Sequence, residues 1–253
     1  MREVYQEVSR SVLNVLFPSH CYFCHRVLTR GSCICESCLN ELEIIEGAFC
    51  TRCGAPVIPG EVKESFGCMH CADLCFTFRR NESIGVFSGK LRELVHLFKF
   101  QRRKSLFNVF SSLALKYKRH YIETHQILIP VPLTRARYSE RGFNQASLIA
   151  YALSRIVKIG YFGELLKRVG NSLPQSTVLS RELRYKNMTD CFVLRKRFIE
   201  QIRGRNVLLV DDVLTTGATA SACARALYDE GAENVDVLTI GRTKVSERPL
   251  YIL

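Results

Sequence analysis

Apolar and polar positions are arranged differently in the two parts of this 253-residue chain. Before Arg79 the periodic runs are short and broken by cysteine and glycine, whereas from Arg79 onward helical and strand-like patterns alternate. LRELVHLF puts Leu91, Leu94, Val95 and Phe98 on one helical face, and Leu106, Phe110, Leu113 and Tyr117 repeat that spacing. ILIPVP (127–132) reads as a buried strand ended by prolines, and TRARYSERGFNQ (134–145) as a polar loop. The loop leads into a helix with Ile149, Leu153 and Ile156 inward. VLLV (207–210) is a strand, 218–230 a helix closed by Gly231, and VDVLTI (235–240) a second strand. A strand, a helical crossover and another strand make a parallel pair, which predicts an α/β domain with its ligands at the carboxyl ends of the strands. The pattern is weaker in residues 161–198, which fit an insertion over the sheet or a loop. The predicted division is therefore 1–78 and 79–253.

Composition adds that this is a globular chain: 47% of residues are hydrophobic, and no apolar run approaches the ~20 residues of a membrane span. Glu3, Glu7 and Arg10 stand where a signal peptide would be apolar, so the expected location is cytoplasmic. The formal net charge of +12 is concentrated in KFQRRK (99–104), KYKRH (116–120), RKR (195–197) and RGR (203–205). Any one cluster is explained by a solvated surface; together they favour a phosphate-bearing or polyanionic partner.

All but two of the twelve cysteines, Cys191 and Cys223, precede residue 76. Cys21, Cys24, Cys35 and Cys38 form one pair of CxxC knuckles, and Cys50, Cys53, Cys68 and Cys71 a second. Each CxxC brings two thiolates to one ion within a tight turn, and two knuckles close a tetrahedron with no open position. The expected cofactor is structural zinc, with an iron–sulfur cluster as the rival. Cys33 and Cys75 are spare, and each is a candidate to replace a neighbouring ligand.

VLLVDDVLTTGAT (207–219) carries the candidate chemistry. Asp211 and Asp212 end a buried strand, where ionised carboxylates need hydroxyls, a cation or solvent. Thr215, Thr216, Gly217, Ala218 and Thr219 follow at a helix N-terminus, whose hydroxyls and N–H groups suit a phosphate monoester. Carboxylates for a sugar diol followed by a phosphate cradle describe a ribose 5-phosphate pocket.

The same stretch closely resembles the phosphoribosyl-pyrophosphate-binding signature of type I phosphoribosyltransferases. IPVPLTRARYSERGFNQASLIA (129–150), NSLPQSTVLSRELRYKN (171–187), LRELVHLFKF and the two quartets extend the likeness over nearly the whole chain to the ComF family of competence-associated proteins. The resemblance implies a type I phosphoribosyltransferase-like parallel sheet flanked by helices, preceded by a double zinc ribbon. It implies that Asp211 and Asp212 hold the ribose 2′- and 3′-hydroxyls, as the catalytic pair, and that 215–219 wrap the 5′-phosphate. Val131, Pro132 and the chain to Arg135 would face the pyrophosphate. Arg135, Arg137 and Arg141 would supply cations, with Asn144 and Gln145 nearby. Lys99, Gln175, Arg181 and Arg184 also match family-typical positions. Mg²⁺ would accompany phosphoribosyl pyrophosphate, and single-stranded DNA and the DNA-uptake machinery of transformation would be partners.

Two functions follow from these readings: a phosphoribosyl-pyrophosphate-binding protein acting on single-stranded DNA, and an active phosphoribosyltransferase that releases pyrophosphate. The candidates for an acceptor site are the basic region 161–198 and the tail GRTKVSERPLYIL (241–253), neither chemically telling, and the six histidines form no acid–base set. A dinucleotide-binding reading is weak because no GxGxxG opens a βα unit. Aromatic residues among the basic runs, Phe98, Phe100, Tyr117, Tyr138, Phe143 and Tyr185, are candidates for base stacking.

Overall fold

The computed structural model describes residues 19–28, 32–58, 67–68, 71–72, 74–169 and 191–243. The chain forms two compact units, 1–42 and 43–253, so the two cysteine quartets fall in different units. In the first, β1 (Ser19–His20) and β2 (Val27–Leu28) pair antiparallel ahead of a single helical turn, α1 (Glu36–Leu39).

The second unit is built on a five-stranded parallel sheet. Its chain runs β3 (Asn81–Val86), α2 (Gly89–Phe100), α3 (Leu106–Glu123), β4 (Ile127–Pro130), α4 (Arg135–Arg141), α5 (Gln145–Val157) and β5 (Gly160–Tyr161). An antiparallel hairpin of β6 (Leu166–Arg168) and β7 (Phe192–Leu194) and a 3-10 turn (Lys196–Gln201) follow. Then come β8 (Asn206–Leu214), α6 (Ala218–Asp229) and β9 (Asn234–Arg242). The strand order is β3-β9-β8-β4-β5, which puts β8 at the centre.

Nearly continuous apolar strands are what a sheet covered on both faces requires. Ile127, Ile129, Val207, Leu209, Val235 and Val237 share one buried cluster with Cys223, Ala224 and Leu227 of α6. The intervening Leu128, Leu208, Val210 and Leu238 are equally buried and turn to the opposite face, against α3 and α5. On that face all four predicted positions of α2 are buried, and Phe98 packs between Phe110 and Phe143 in tilted ring contacts at centroid distances of 5.4 and 5.6 Å.

Three expectations are corrected. TRARYSERGFNQ contains a helix, because Thr134 caps its start by accepting from the Arg137 amide and Gly142 ends it at φ +76°. Ile156 is 51% exposed; α5 buries Ala146, Ile149, Ala150 and Leu153 instead. In α3 the backbone leaves helical geometry at Lys118, which turns that lysine inward and leaves Tyr117 only half-buried. Its Nζ is met by Glu82, the Ile45 carbonyl and the Phe49 ring. Among the described residues no helix is long and apolar enough to cross a membrane.

Candidate functional site

β8 runs four residues beyond the predicted VLLV, so Asp211 and Asp212 lie inside its carboxyl end. Adjacent strand residues face opposite sides of a sheet, and the two acids meet different surroundings. Asp212 faces cations: Lys99 Nζ of α2 lies 2.9 Å from its Oδ1 and Arg141 NH1 4.0 Å from its Oδ2. Asp211 accepts the Asp212 amide at 2.8 Å. Burial, and then the Asp212 charge, push Asp211 up to about 7, against the pull of that amide, Lys99 and Arg137. Beneath it on α6, burial and then the Asp211 charge hold the Cys223 thiol well above its ordinary value. The sheet thus ends in one carboxylate matched by cations and one near half-ionisation at neutral pH.

The loop after β8 is short because α6 begins at once. Thr215 and Thr216 are exposed, and the Thr216 hydroxyl accepts the Ala218 amide at 3.4 Å. Gly217 is the N-cap of α6 at φ +75°, a conformation glycine adopts without cost. A Cβ there would stand 2.5 Å from Phe76 Cε1, so space as well as backbone demands glycine. Phe76 stacks on Phe78 at 4.6 Å, and the Thr77 amide donates to Ser221 Oγ, so the segment before β3 lies against the first turns of α6.

At the end of β4 the Val131 amide donates to the Val210 carbonyl, and the Val131 carbonyl accepts from Asn144 Nδ2 at 2.9 Å. Pro132 has no N–H, so these two residues shape the turn without offering it an amide. On α4, Arg135 and Arg137 are exposed. Arg141 is buried, its guanidinium 5.5 Å from the Phe100 ring centroid and its NH1 on Gln145 Oε1. Its Nε, and Gln145 Nε2, are buried without a hydrogen-bond partner among the described residues. The structure therefore brings Lys99, Arg141, Asp211 and Asp212 together and leaves Arg135 at the rim. Gln175, Arg181, Arg184 and Tyr185 lie outside the described residues.

Each cysteine quartet converges, with all four Sγ atoms within 4.8 Å of one another. In the second, the separations Cys50–Cys71, Cys53–Cys68 and Cys68–Cys71 are 3.8, 3.6 and 3.9 Å. A tetrahedron with Zn–S bonds of about 2.3 Å has edges of about 3.8 Å, far beyond the ~2 Å of a disulfide. The thiol set therefore fits zinc. Cys33 and Cys75 stand outside both groups. The Cys50 thiol is pulled down to about 4 by its hydrogen bond with Cys53. That same bond, then burial, push Cys53 up, while the charge of Arg242 acts in the opposite sense. Asn81 Nδ2 donates to the Cys53 carbonyl and the Asn81 amide to that of Thr51, which ties this knuckle to β3.

Sequence reasoning passed over Phe76 and Phe78 and placed Arg242, whose NH1 donates to the Leu214 and Thr215 carbonyls, only within the candidate acceptor tail GRTKVSERPLYIL. The available signal for Arg242 was an apolar strand, VDVLTIG, that ends on a cation where water has no access.

A central parallel strand ending in paired acids and a glycine-capped helix, carried with two closed thiol quartets, defines a phosphoribosyltransferase-type domain joined to a double zinc ribbon. The sequence comparisons agree: residues 12–75 match the double zinc ribbon domain family, and residues 142–251 the phosphoribosyl transferase domain family. The DNA utilization protein YhgH of Escherichia coli (strain K12) is 30% identical over 232 residues, 89% of this chain and 98% of that protein. Competence protein ComFC of Bacillus subtilis is 30% identical over 218 residues, 83% of this chain and 84% of that one. A solved allosteric regulatory enzyme of purine biosynthesis aligns with 53% of this chain and 24% of that chain, at 19% identity and a TM-score of 0.34. This chain belongs to the ComF family.

Proposed function

We propose that the chain binds phosphoribosyl pyrophosphate with Mg²⁺ at the carboxyl end of β8, and that it acts in the cytoplasm on single-stranded DNA during natural transformation. The observation that carries the ligand is Asp211: a half-buried carboxylate at the mouth of the site with one backbone amide on it among its described contacts. Ribose hydroxyls supply the donors it lacks. Asp212, already paired with Lys99, completes the diol contact, and the 5′-phosphate falls on the amides and hydroxyls of 215–219. Arg141 and Arg137 then face the pyrophosphate, which a guanidinium grips in bidentate fashion. Mg²⁺, a hard ion that takes oxygen ligands and keeps several waters, would rest mainly on the diphosphate and neutralise its charge. The acid pair supplies the nearest protein oxygens.

Calorimetric titration with phosphoribosyl pyrophosphate and Mg²⁺ tests this, comparing the wild type with the Asp211→Asn/Asp212→Asn double variant. Saturable binding lost in the variant supports the assignment; equal affinity in both removes it. Pyrophosphate release measured across amines and bases then separates a binding protein from a transferase.

Support for DNA comes from relatives named for DNA utilization and competence and from the rim of this site. Of the six aromatic residues first considered, Phe98 and Phe143 are core, whereas Phe100 and Tyr138 are each 54% exposed. They stand beside the exposed Arg102, Arg103, Lys104, Arg135 and Arg137, and Arg102 NH2 bonds the Glu140 carbonyl to join the two segments. Stacking faces set among cations suit single strands. Affinity for an oligothymidylate should fall steeply between two salt concentrations, as counterion release requires; affinity indifferent to salt would reject this part of the reading.

A further inference from the structure

A cleft of about 640 Å³ opens at the amino ends of the strands. Arg80 and Glu82 at the start of β3, the last turns of α3 ahead of β4, and the chain at 45–49 line it. The strands of this sheet are parallel, so the cleft lies at the end opposite Asp211 and Asp212. Ligands of an open parallel sheet bind at its carboxyl ends, which sets this cleft apart from the site described above. It also gathers KYKRH (116–120), a basic run to which the proposed function gives no role.

Two side chains build its walls. The break in α3 turns Lys118, 6% exposed, into the cleft, where Nζ lies 3.5 Å from Glu82, 3.4 Å from the Ile45 carbonyl and 4.7 Å from the Phe49 ring centroid. One buried ammonium thus ties segment 45–49 to β3 and α3. Arg80 lies over the Tyr121 ring, its guanidinium 4.5 Å from the centroid, and the Tyr121 hydroxyl is itself fixed by donating to the Val237 carbonyl at 3.0 Å. Arg80 Nε is 3.4 Å from Asp236 Oδ2 without a hydrogen bond. The oxygens of Asp236 already accept from Arg79 Nε and His125 Nε2, each at 2.9 Å. Arg80 is therefore held in place by stacking, with hydrogen-bonding capacity that this carboxylate does not use.

The cleft offers two kinds of group. Its cations come from Arg80 and from Lys116, Lys118 and the exposed His120 of α3. A guanidinium already fixed in one plane meets a phosphate with little further loss of freedom. Its rings come from Phe49 and Tyr117, both half-buried, so each keeps surface within reach of a ligand. A bare phosphate needs neither the rings nor the room, since the volume falls in the range of small-molecule sites. A ligand with an anionic end and a flat aromatic end uses both, and a nucleotide has that composition.

We propose that this cleft is a second ligand site, which takes a mononucleotide unit with its phosphate on Arg80 and its base against Phe49 and Tyr117. The unit is a free nucleotide or one residue of a single strand. The site is independent of the phosphoribosyl reading, because none of its residues belongs to 211–219 or to α4.

Thymidine 5′-monophosphate and a short oligothymidylate are the probes, and hydrogen exchange of the full-length zinc-loaded protein locates them. Residues 45–49 and 116–124 should exchange more slowly with probe bound, while residues 207–210 of β8 serve as the core control. Protection by the monophosphate at about 1 mM identifies a free nucleotide; protection by the oligomer alone identifies a strand. Absence of protection at 45–49 and 116–124 with both probes, or protection confined to 211–221, overturns the proposal. In Arg80→Met the probe concentration needed to protect these segments should rise at least about tenfold, the low end for a lost charge-assisted hydrogen bond. In Tyr117→Ala it should rise at least about fivefold, as the loss of a stacking face requires. A wild-type concentration in either variant overturns the assignment. Should Arg80→Met fail to fold, Tyr117→Ala and the wild-type exchange pattern decide.

Discussion

Replacing Lys99 with methionine tests what sets the charge of the acid pair. The Lys99 ammonium and the Asp212 carboxylate, 2.9 Å apart, are only 16% and 14% exposed, so solvent screens them weakly. Methionine keeps an unbranched apolar stem and removes the cation. The charge of Lys99 also favours the ionised form of Asp211, and two adjacent acids titrate as a coupled pair. Removing the cation disfavours the ionised form, so the Asp211 midpoint now near 7 should rise. At neutral pH the ionised fraction then falls below about one half. Affinity for a diol-bearing ligand should drop, by about fivefold for a rise of one unit, and recover as the pH is raised past the new midpoint. The recovery is diagnostic, because a lysine that merely touched the pyrophosphate would cost affinity at every pH. Calorimetry with phosphoribosyl pyrophosphate from about pH 6 to about pH 9.5, read beside carboxyl ¹³C shifts, gives the midpoint directly. A midpoint that stays near its wild-type value or falls would refute the reasoning.

Asp211→Asn should abolish ligand binding yet stabilise the free protein. The folded pKa of about 7 lies above the ordinary 3.8, so wild-type stability falls as pH rises from about 4 to about 7, by up to about 4 kcal/mol, and the variant lacks that slope; denaturant titrations at about pH 5 and about pH 8 measure it. Asp236 has the opposite sign. Burial opposes its ionisation, but Arg79 and His125 hold it down at about 2, so about 2 kcal/mol of stability is present above about pH 4 and lost as pH falls to about 2. Asp236→Asn should cost about 1–3 kcal/mol at neutral pH because it removes the buried acceptor shared by the partly exposed Arg79 and the buried His125, which thermal unfolding will show. Gly217→Ala places a Cβ against Phe76 at positive φ and should destabilise by about 2–4 kcal/mol, with part of the loss recovered when Phe76 is shortened to leucine. Metal analysis should return two zinc ions per chain, falling to one in Cys50→Ser; an unchanged count would remove the second site.

What the sequence made legible was local chemistry. VLLVDDVLTTGAT states its strand, its acids and its glycine-capped helix within thirteen residues, and the CxxC pairs state their geometry through spacing alone. Helical faces were readable where the helix is regular, as in α2, and failed where it is not: the break at Lys118 rotates Tyr117 outward, and no apolar stripe marks α4, whose only signals are Thr134 and Gly142 at its ends. Composition changes where the cysteines stop, but compactness divides the chain at 42/43, because the second quartet is fastened to β3 through Asn81. The contacts that hold the phosphate loop were not legible, since Phe76 and Arg242 reach it from segments about 140 residues before and 25 after it in the chain.

A doubled acid at the end of a buried strand is tolerable because the pleat separates the two side chains. Asp212 turns to the face of α2 and α4, where Lys99 and Arg141 offset its charge. Asp211 turns to the face of α6, where its charge acts on a buried thiol, Cys223, and its described hydrogen bond is a single amide. One acid is complete without ligand and the other is not. A residue selected for stability alone would be apolar at that point of the sheet, as Leu209 and Val207 are two and four positions earlier. The free energy withheld from folding at Asp211 becomes available when a ligand brings hydroxyl donors, and the titration near neutrality places that gain in the pH range where a cell operates.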